Sequence, residues 1–135
     1  MMANAEVWRK RCRLSLFVFY GVAGILHIAF PAPFLSITPN WVPDAPEVIL
    51  LTGLCEIAGA IGLLVPGTRR YVGMALAVYA VLVFPANLKH AVDSLTAATV
   101  SPWQWAYDVI RLPFQPVLVW LAIFAGGRQL PLIPR

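Results

Sequence analysis

The sequence predicts an all-α integral membrane protein, an up-down four-helix bundle with both termini cytoplasmic. Three observations carry that prediction. Hydrophobic residues make up 60% of the chain and charged residues 12%, with a mean hydropathy of +0.76, whereas about a quarter of a soluble domain is charged. The apolar residues fall into four runs, over 14–30, 48–65, 71–88 and 110–126, each near the roughly 20 residues a helix needs to cross a bilayer core. The basic residues punctuate these runs asymmetrically. Arg9, Lys10, Arg11, Arg13, Arg69, Arg70, Arg128 and Arg135 fall on one side, which the positive-inside rule makes cytoplasmic. Lys89 and Arg111 fall on the other, with the acids Asp44, Glu47, Asp93 and Asp108.

The net charge of +4 therefore reflects topology, and nucleic acid is not an expected partner; the lipid bilayer is. With 135 residues the chain, 1–135, reads as a single transmembrane domain. Cys12 and Cys55 stand alone without a C-x-x-C pair and fall at different depths, which argues against thiol-disulfide exchange and against a bond between them.

In the first span, the basic head before Leu14 has the look of a signal peptide, but further spans of the same character follow and the run carries His27. Asn4 is a candidate cap for a helix beginning among the headgroups, beside the interfacial Trp8. Gly21, Gly24 and His27 share one side and invite close approach of another helix. The segment from Pro31 to Glu47 alternates prolines with Phe34, Leu35, Ile37, Trp41 and Val42; its apolar content predicts a lid over the bundle mouth, with Trp41 at the interface.

Asp44 is expected to cap the second span and Thr68 the third. Gly73, Ala77, Ala80, Phe84, Asn87 and Ala91 recur at helical spacing, and Pro85 should kink that helix. Ser101-Pro102 opens the last helix, followed by an aromatic belt of Trp103, Trp105 and Tyr107. From Leu112 to Gly126 the apolar run is only about 22 Å long, so the span should begin before Arg111, with Pro113 and Pro116 loosening its backbone.

The strongly polar residues inside the spans are the candidates for function. Glu56 is the sole charge between Val48 and Val65. An acid at that depth is costly and normally faces a partner or a wet cavity. Counting about 1.5 Å per residue from the cytoplasmic ends puts Glu56 near ~13 Å, Gln115 near ~17 Å, His27 near ~20 Å, Arg111 near ~22 Å and Asn87 near ~24 Å. Helical side chains lean toward their own N-terminus, so the tips of Glu56, Gln115, His27 and Asn87 converge in the outer half of the bundle, with Arg111 above them. Thr52, Glu56, Gly59 and Leu63 form one stripe, and Arg111, Gln115, Leu118 and Ala122 another.

Plainer roles compete with each residue. Asn87 and Gln115 can tie helices together or satisfy backbone freed by Pro85 and Pro116. His27 and Glu56 can be a packing pair, and Arg111 can snorkel to headgroups. Lys89, His90 and Asp93 read as interfacial. A metal site from His27, Glu56 and His90 lacks the short ligand spacing that usually marks one, so no metal is expected.

Taken in order, several stretches resemble the DoxX-like family of small bacterial four-helix membrane proteins: Gly24-Ile25-Leu26-His27 with Pro31 and Phe34; Ile37-Thr38-Pro39-Asn40-Trp41-Val42-Pro43; Thr52-Gly53-x-x-Glu56-Ile57-x-Gly59-Ala60-x-Gly62-Leu63; Val83-Phe84-Pro85-Ala86-Asn87; and Arg111-Leu112-Pro113-x-Gln115. The resemblance covers nearly the whole chain. It implies the bacterial inner membrane, the four-helix fold and the importance of His27, Glu56, Asn87, Arg111 and Gln115. It also implies association with membrane redox systems, since the family takes its name from a subunit associated with a thiosulfate:quinone oxidoreductase, while an animal relative is a receptor assembly chaperone.

Two classes of function follow as expectations. In the first, the polar cluster binds a quinone or other amphipathic small molecule, no covalent cofactor being implied. His27, Asn87 or Gln115 donates to a ring carbonyl and Glu56 exchanges protons, making Glu56 and His27 the candidate catalytic pair. Electrons must then come from a membrane or extracytoplasmic partner protein, because the chain has no haem pair, flavin motif or cysteine couple. In the second, the protein is a non-enzymatic scaffold or assembly factor. A proton-linked permease ranks behind both, because the cytoplasmic half is apolar. No reaction, partner or oligomeric state is read from the residues.

Overall fold

The computed structural model describes residues 2–99 and 101–127. The expected basic positions Arg128 and Arg135 lie outside the described residues. Six helices follow in order: α1 (Met2–Ala29), α2 (Ala32–Ile37), α3 (Ala45–Leu64), α4 (Arg69–Leu82), α5 (Phe84–Thr96) and α6 (Pro102–Gly126). Among the described residues there is no strand. Helices α1, α3, the α4–α5 pair and α6 supply four segments long and apolar enough to cross a membrane. Helix α1 packs on α3, α3 on α4, α4 and α5 on α6, and α6 on α1, closing the ring.

The exterior fits lipid. Val18, Ile25, Leu51, Leu54, Met74, Val78, Val81, Trp120 and Ile123 are exposed, in a number that water would penalise and a hydrocarbon solvent does not. The interior is lined by small residues and a few large ones: Leu16, Tyr20, Ala60, Leu63, Leu76, Ala77, Leu118, Ala122 and Ala125. Between helices in lipid, close van der Waals approach replaces the hydrophobic drive, which favours glycine and alanine at crossings. A Cβ on Gly24 would lie 2.6 Å from the Gly53 carbonyl oxygen, and one on Gly53 would lie 2.9 Å from that of Gly24. The α4–α6 crossing is made the same way by Gly73 and Gly126. Gly21, expected on the same contact strip, has open space around it.

Basic side chains close helix ends. Arg69 donates from Nε to the Leu63 carbonyl (3.2 Å) and from Nη2 to that of Leu64 (3.0 Å), at the end of α3. The buried Arg13 donates to the Ala125 carbonyl (3.0 Å) near the end of α6 and pairs with Glu6. Cations at helix C-termini satisfy orphan carbonyls and oppose the negative end of the macrodipole.

Several local expectations are corrected. Helix α1 starts at Met2, so Asn4 lies inside it and caps nothing. Asp44 does precede α3, but in the left-handed region (φ 45°) with no side-chain capping bond; Asp tolerates that conformation better than most residues. Thr68 precedes α4, but its hydroxyl donates back to the Gly62 carbonyl (2.8 Å) rather than capping forward.

The third span runs well beyond 71–88, as α4 and α5 together over Arg69–Thr96. Its ladder breaks at Val83, just ahead of Pro85 at the start of α5. The proline lacks an N–H and its ring crowds the carbonyl of Val81, four residues back. Phe84 is exposed, unlike Gly73, Ala77, Ala80, Asn87 and Ala91, which stay buried on either side of the break. The last helix begins at Pro102, where the Ser101-Pro102 pair places its start, and continues through Pro113 and Pro116.

The Gly24–Gly53 crossing makes a prediction. Gly24→Leu should lower stability in mild detergent by about 1–3 kcal/mol, the usual cost of overpacking. Gly21→Leu, facing open space, should change it by less than about 0.5 kcal/mol. Thermal unfolding of the two variants side by side checks this.

Candidate functional site

All six helices contribute to one cavity of about 530 Å³. Its walls come from the C-terminal part of α1, the first half of α3, the α4–α5 junction and the first half of α6. Helix α2 and the chain to Val42 form its roof, through Phe34, Ile37, Thr38, Pro39, Trp41 and Val42. The lid expected from the proline-rich segment is therefore present, with the short helix α2 inside it. Pro31 and Pro33 sit at the start of α2, where a missing N–H costs nothing. Trp41 is largely exposed at its edge.

His27, Glu56, Asn87, Arg111 and Gln115 all line this cavity. They form two hydrogen-bonded groups and one separate cation. In the first group Glu56, 5% exposed, accepts from the Tyr79 hydroxyl at Oε1 (2.7 Å). Its Oε2 lies 2.8 Å from His27 Nδ1, which is also 2.9 Å from the Ala23 carbonyl. One ring N–H faces two acceptors; it meets hydrogen-bond geometry with the carbonyl, and Oε2 has no hydrogen-bond donor from the protein. The imidazole is held from above by the Phe34 ring, stacked at 3.8 Å between centroids.

The second group ties helices together. Asn87 Nδ2 donates to Gln115 Oε1 (2.9 Å), and Gln115 Nε2 donates to the Ala80 carbonyl. Ala80 lies in the last turn of α4, where carbonyls lose their intrahelical partners. Gln115 thus repairs the break ahead of Pro85, on a neighbouring helix rather than its own. Arg111 stands apart from both groups, half-buried over the Tyr107 ring at 5.4 Å, with no carboxylate in ion-pair reach among the described residues.

Sequence reasoning missed three residues. Tyr79, which nothing in the residue pattern singles out among the aromatics, is a direct partner of Glu56. Tyr20 lines the cavity at 2% exposure with a hydroxyl that has no partner, its ring edge-on to Tyr79 at 6.2 Å. It stands seven residues before His27 and so shares its face, which was a usable signal. Asp108 was read as a loop acid, but it is 1% exposed within α6, seven residues before Gln115 on the same stripe. His90 Nε2 lies 3.3 Å from its Oδ1. His90 is accordingly committed to α6 rather than purely interfacial, and it is not brought to His27 and Glu56. Lys89 and Asp93 pair with each other at 2.6 Å, partly exposed. Among the described residues no three His, Cys, Asp or Glu side chains gather as metal ligands do. Cys12 and Cys55 are unbonded thiols.

Fold and site together define a small multi-pass helical membrane protein with a polar centre facing an apolar cavity. The chain belongs to the family described as Domain of unknown function (DUF8561), whose model matches residues 16–125. That stretch contains every residue lining the cavity. No curated protein and no solved structure matches the chain.

The Tyr79–Glu56 bond can be measured. Tyr79→Phe leaves a buried carboxylate oxygen without its donor and should cost about 1–3 kcal/mol. In a double-mutant cycle with Glu56→Gln the two changes should couple by more than about 0.5 kcal/mol. Independent effects would mean that the hydroxyl does not serve Glu56.

Proposed function

We propose that the cavity binds a quinone or another amphipathic small molecule, and that the protein serves as an accessory to a membrane redox system. The observation that supports this most is the pairing of a buried, incompletely satisfied carboxylate with a large apolar space. A site built only for packing would fill that space with its own side chains; here Glu56 Oε2 and the Tyr20 hydroxyl are left over beside it. Pockets of about 300–1,000 Å³ with apolar walls and a few placed polar groups are typical of small-molecule sites.

On this reading the ligand's ring lies against Phe19, Phe114 and Leu118, with a carbonyl or hydroxyl end at the polar centre. Tyr20 donates to a ligand oxygen, or Glu56 Oε2 accepts from a ligand hydroxyl. Reduction of a quinone takes two electrons and two protons; a partner protein supplies the electrons, and Glu56 with His27 relays protons. The spans run up and down with both termini cytoplasmic, in a bacterial inner membrane, so that the roof of the cavity faces the extracytoplasmic side. The charge asymmetry and the DoxX-like resemblance support that placement.

A second reading, a scaffold or assembly factor for another membrane protein, is favoured by the Asn87–Gln115–Ala80 tie, which needs no ligand to explain it. The two readings part on occupancy. Mass spectrometry of small molecules retained by protein purified in gentle detergent should find a quinone or similar amphipath on the wild type. Glu56→Gln and His27→Ala, both folded, should retain several-fold less. If all three are equally empty the binding reading fails and the scaffold reading stands.

A further inference from the structure

A second groove, of about 470 Å³, lies toward the other ends of the same helices, where the first turns of α1 meet the end of α3 and the start of α4. Glu6, Lys10, Arg13 and Arg69 line it together with Val7, Leu14 and Leu64. Three cations thus face one carboxylate. The guanidiniums are fixed by their helix-end bonds: Arg13 is only 4% exposed, and Arg69 is anchored twice to the end of α3. Each guanidinium has five N–H donors, so these bonds leave some over. Lys10 is exposed and has no ion-pair partner among the described residues. Helix α4 begins at Arg69 and adds the positive end of its macrodipole.

Two further features narrow the ligand. The walls are apolar and unburied, with Val7 51%, Leu14 49% and Leu64 37% exposed, so the ligand brings hydrocarbon along with its charge. Glu6 Oε1 is taken by Arg13, but its Oε2 is a buried acceptor with no donor. A simple anion would be repelled by that oxygen. A phosphate that carries a hydroxyl-bearing substituent would satisfy both halves of the groove.

We propose that this groove is a binding site for an anionic phospholipid headgroup of the glycerol type, as in phosphatidylglycerol. The phosphate sits among Lys10, Arg69 and Arg13, a headgroup hydroxyl donates to Glu6 Oε2, and an acyl chain lies along Leu14 and Leu64. This site is independent of the cavity at Glu56 and of whatever that cavity holds. Choline headgroups have no N–H or O–H to offer Glu6, and free phosphate has no use for the apolar walls.

Native mass spectrometry of the full chain in detergent, titrated with phosphatidylglycerol or phosphatidylcholine, tests it. The wild type should retain one phosphatidylglycerol at least about fivefold more tightly than phosphatidylcholine. Because each basic charge near a headgroup is worth roughly fivefold in binding, Lys10→Glu should abolish the preference. Arg70→Glu makes the same charge change outside the groove and should leave most of it. Lys10 makes no helix-end bond, so its replacement tests binding without removing a cap. Equal retention of the two lipids, equal effects of the two charge reversals, or displacement of the lipid by millimolar inorganic phosphate would each overturn the assignment.

Discussion

Glu56 is the constraint that organises the bundle. A carboxylate in the middle of a lipid-crossing helix must be met by donors from other helices, because the bilayer offers none. His27 on α1 and Tyr79 on α4 meet it from two sides. Each of those contacts stands one turn from a glycine contact. Gly24 lies three residues before His27 and touches Gly53, three residues before Glu56. Gly59, three residues after Glu56, receives the Leu76 side chain, three residues before Tyr79. The small residues bring the helices close and set the register in which the polar tips reach one another. Bulk at either crossing would therefore be felt at the carboxylate.

The second polar group obeys a different logic. The third span breaks at Val83, ahead of Pro85, and the amide of Gln115 reaches across from α6 to take the Ala80 carbonyl in the last turn before the break. Asn87 then fixes the other end of the same amide. This group is spent on tying helices together, whereas Glu56 Oε2 shares His27 Nδ1 with the Ala23 carbonyl. Both groups line one space. Asn87 and Gln115 tie α4, α5 and α6 together, while Glu56, His27 and Tyr79 tie α1, α3 and α4.

Much of this was legible in the residues and some was not, for physical reasons. The stripes through Glu56 and Gln115 were readable because helical periodicity holds in lipid as in water, and all five chosen residues do line one cavity. Capping was less readable. Ser101-Pro102 did mark the start of α6, but Asn4 failed as a cap because α1 already begins at Met2, and Asp44 and Thr68 precede their helices without a side-chain capping bond. Tyr20 and Tyr79 were hidden by abundance, since aromatic residues crowd any membrane interface. Asp108 was hidden by its neighbours in sequence, although its spacing from Gln115 placed it on the buried stripe.

The roof and the acid form one mechanical unit. Helix α2 is short, contacts only α3 and α5 appreciably, and carries the Phe34 ring that stacks on His27. His27 in turn stands against the open oxygen of Glu56. A ligand group that bonds Oε2 competes for the position of the imidazole, and the imidazole cannot shift without disturbing its stack with Phe34. On the binding reading, filling the cavity would act on its roof through this ring.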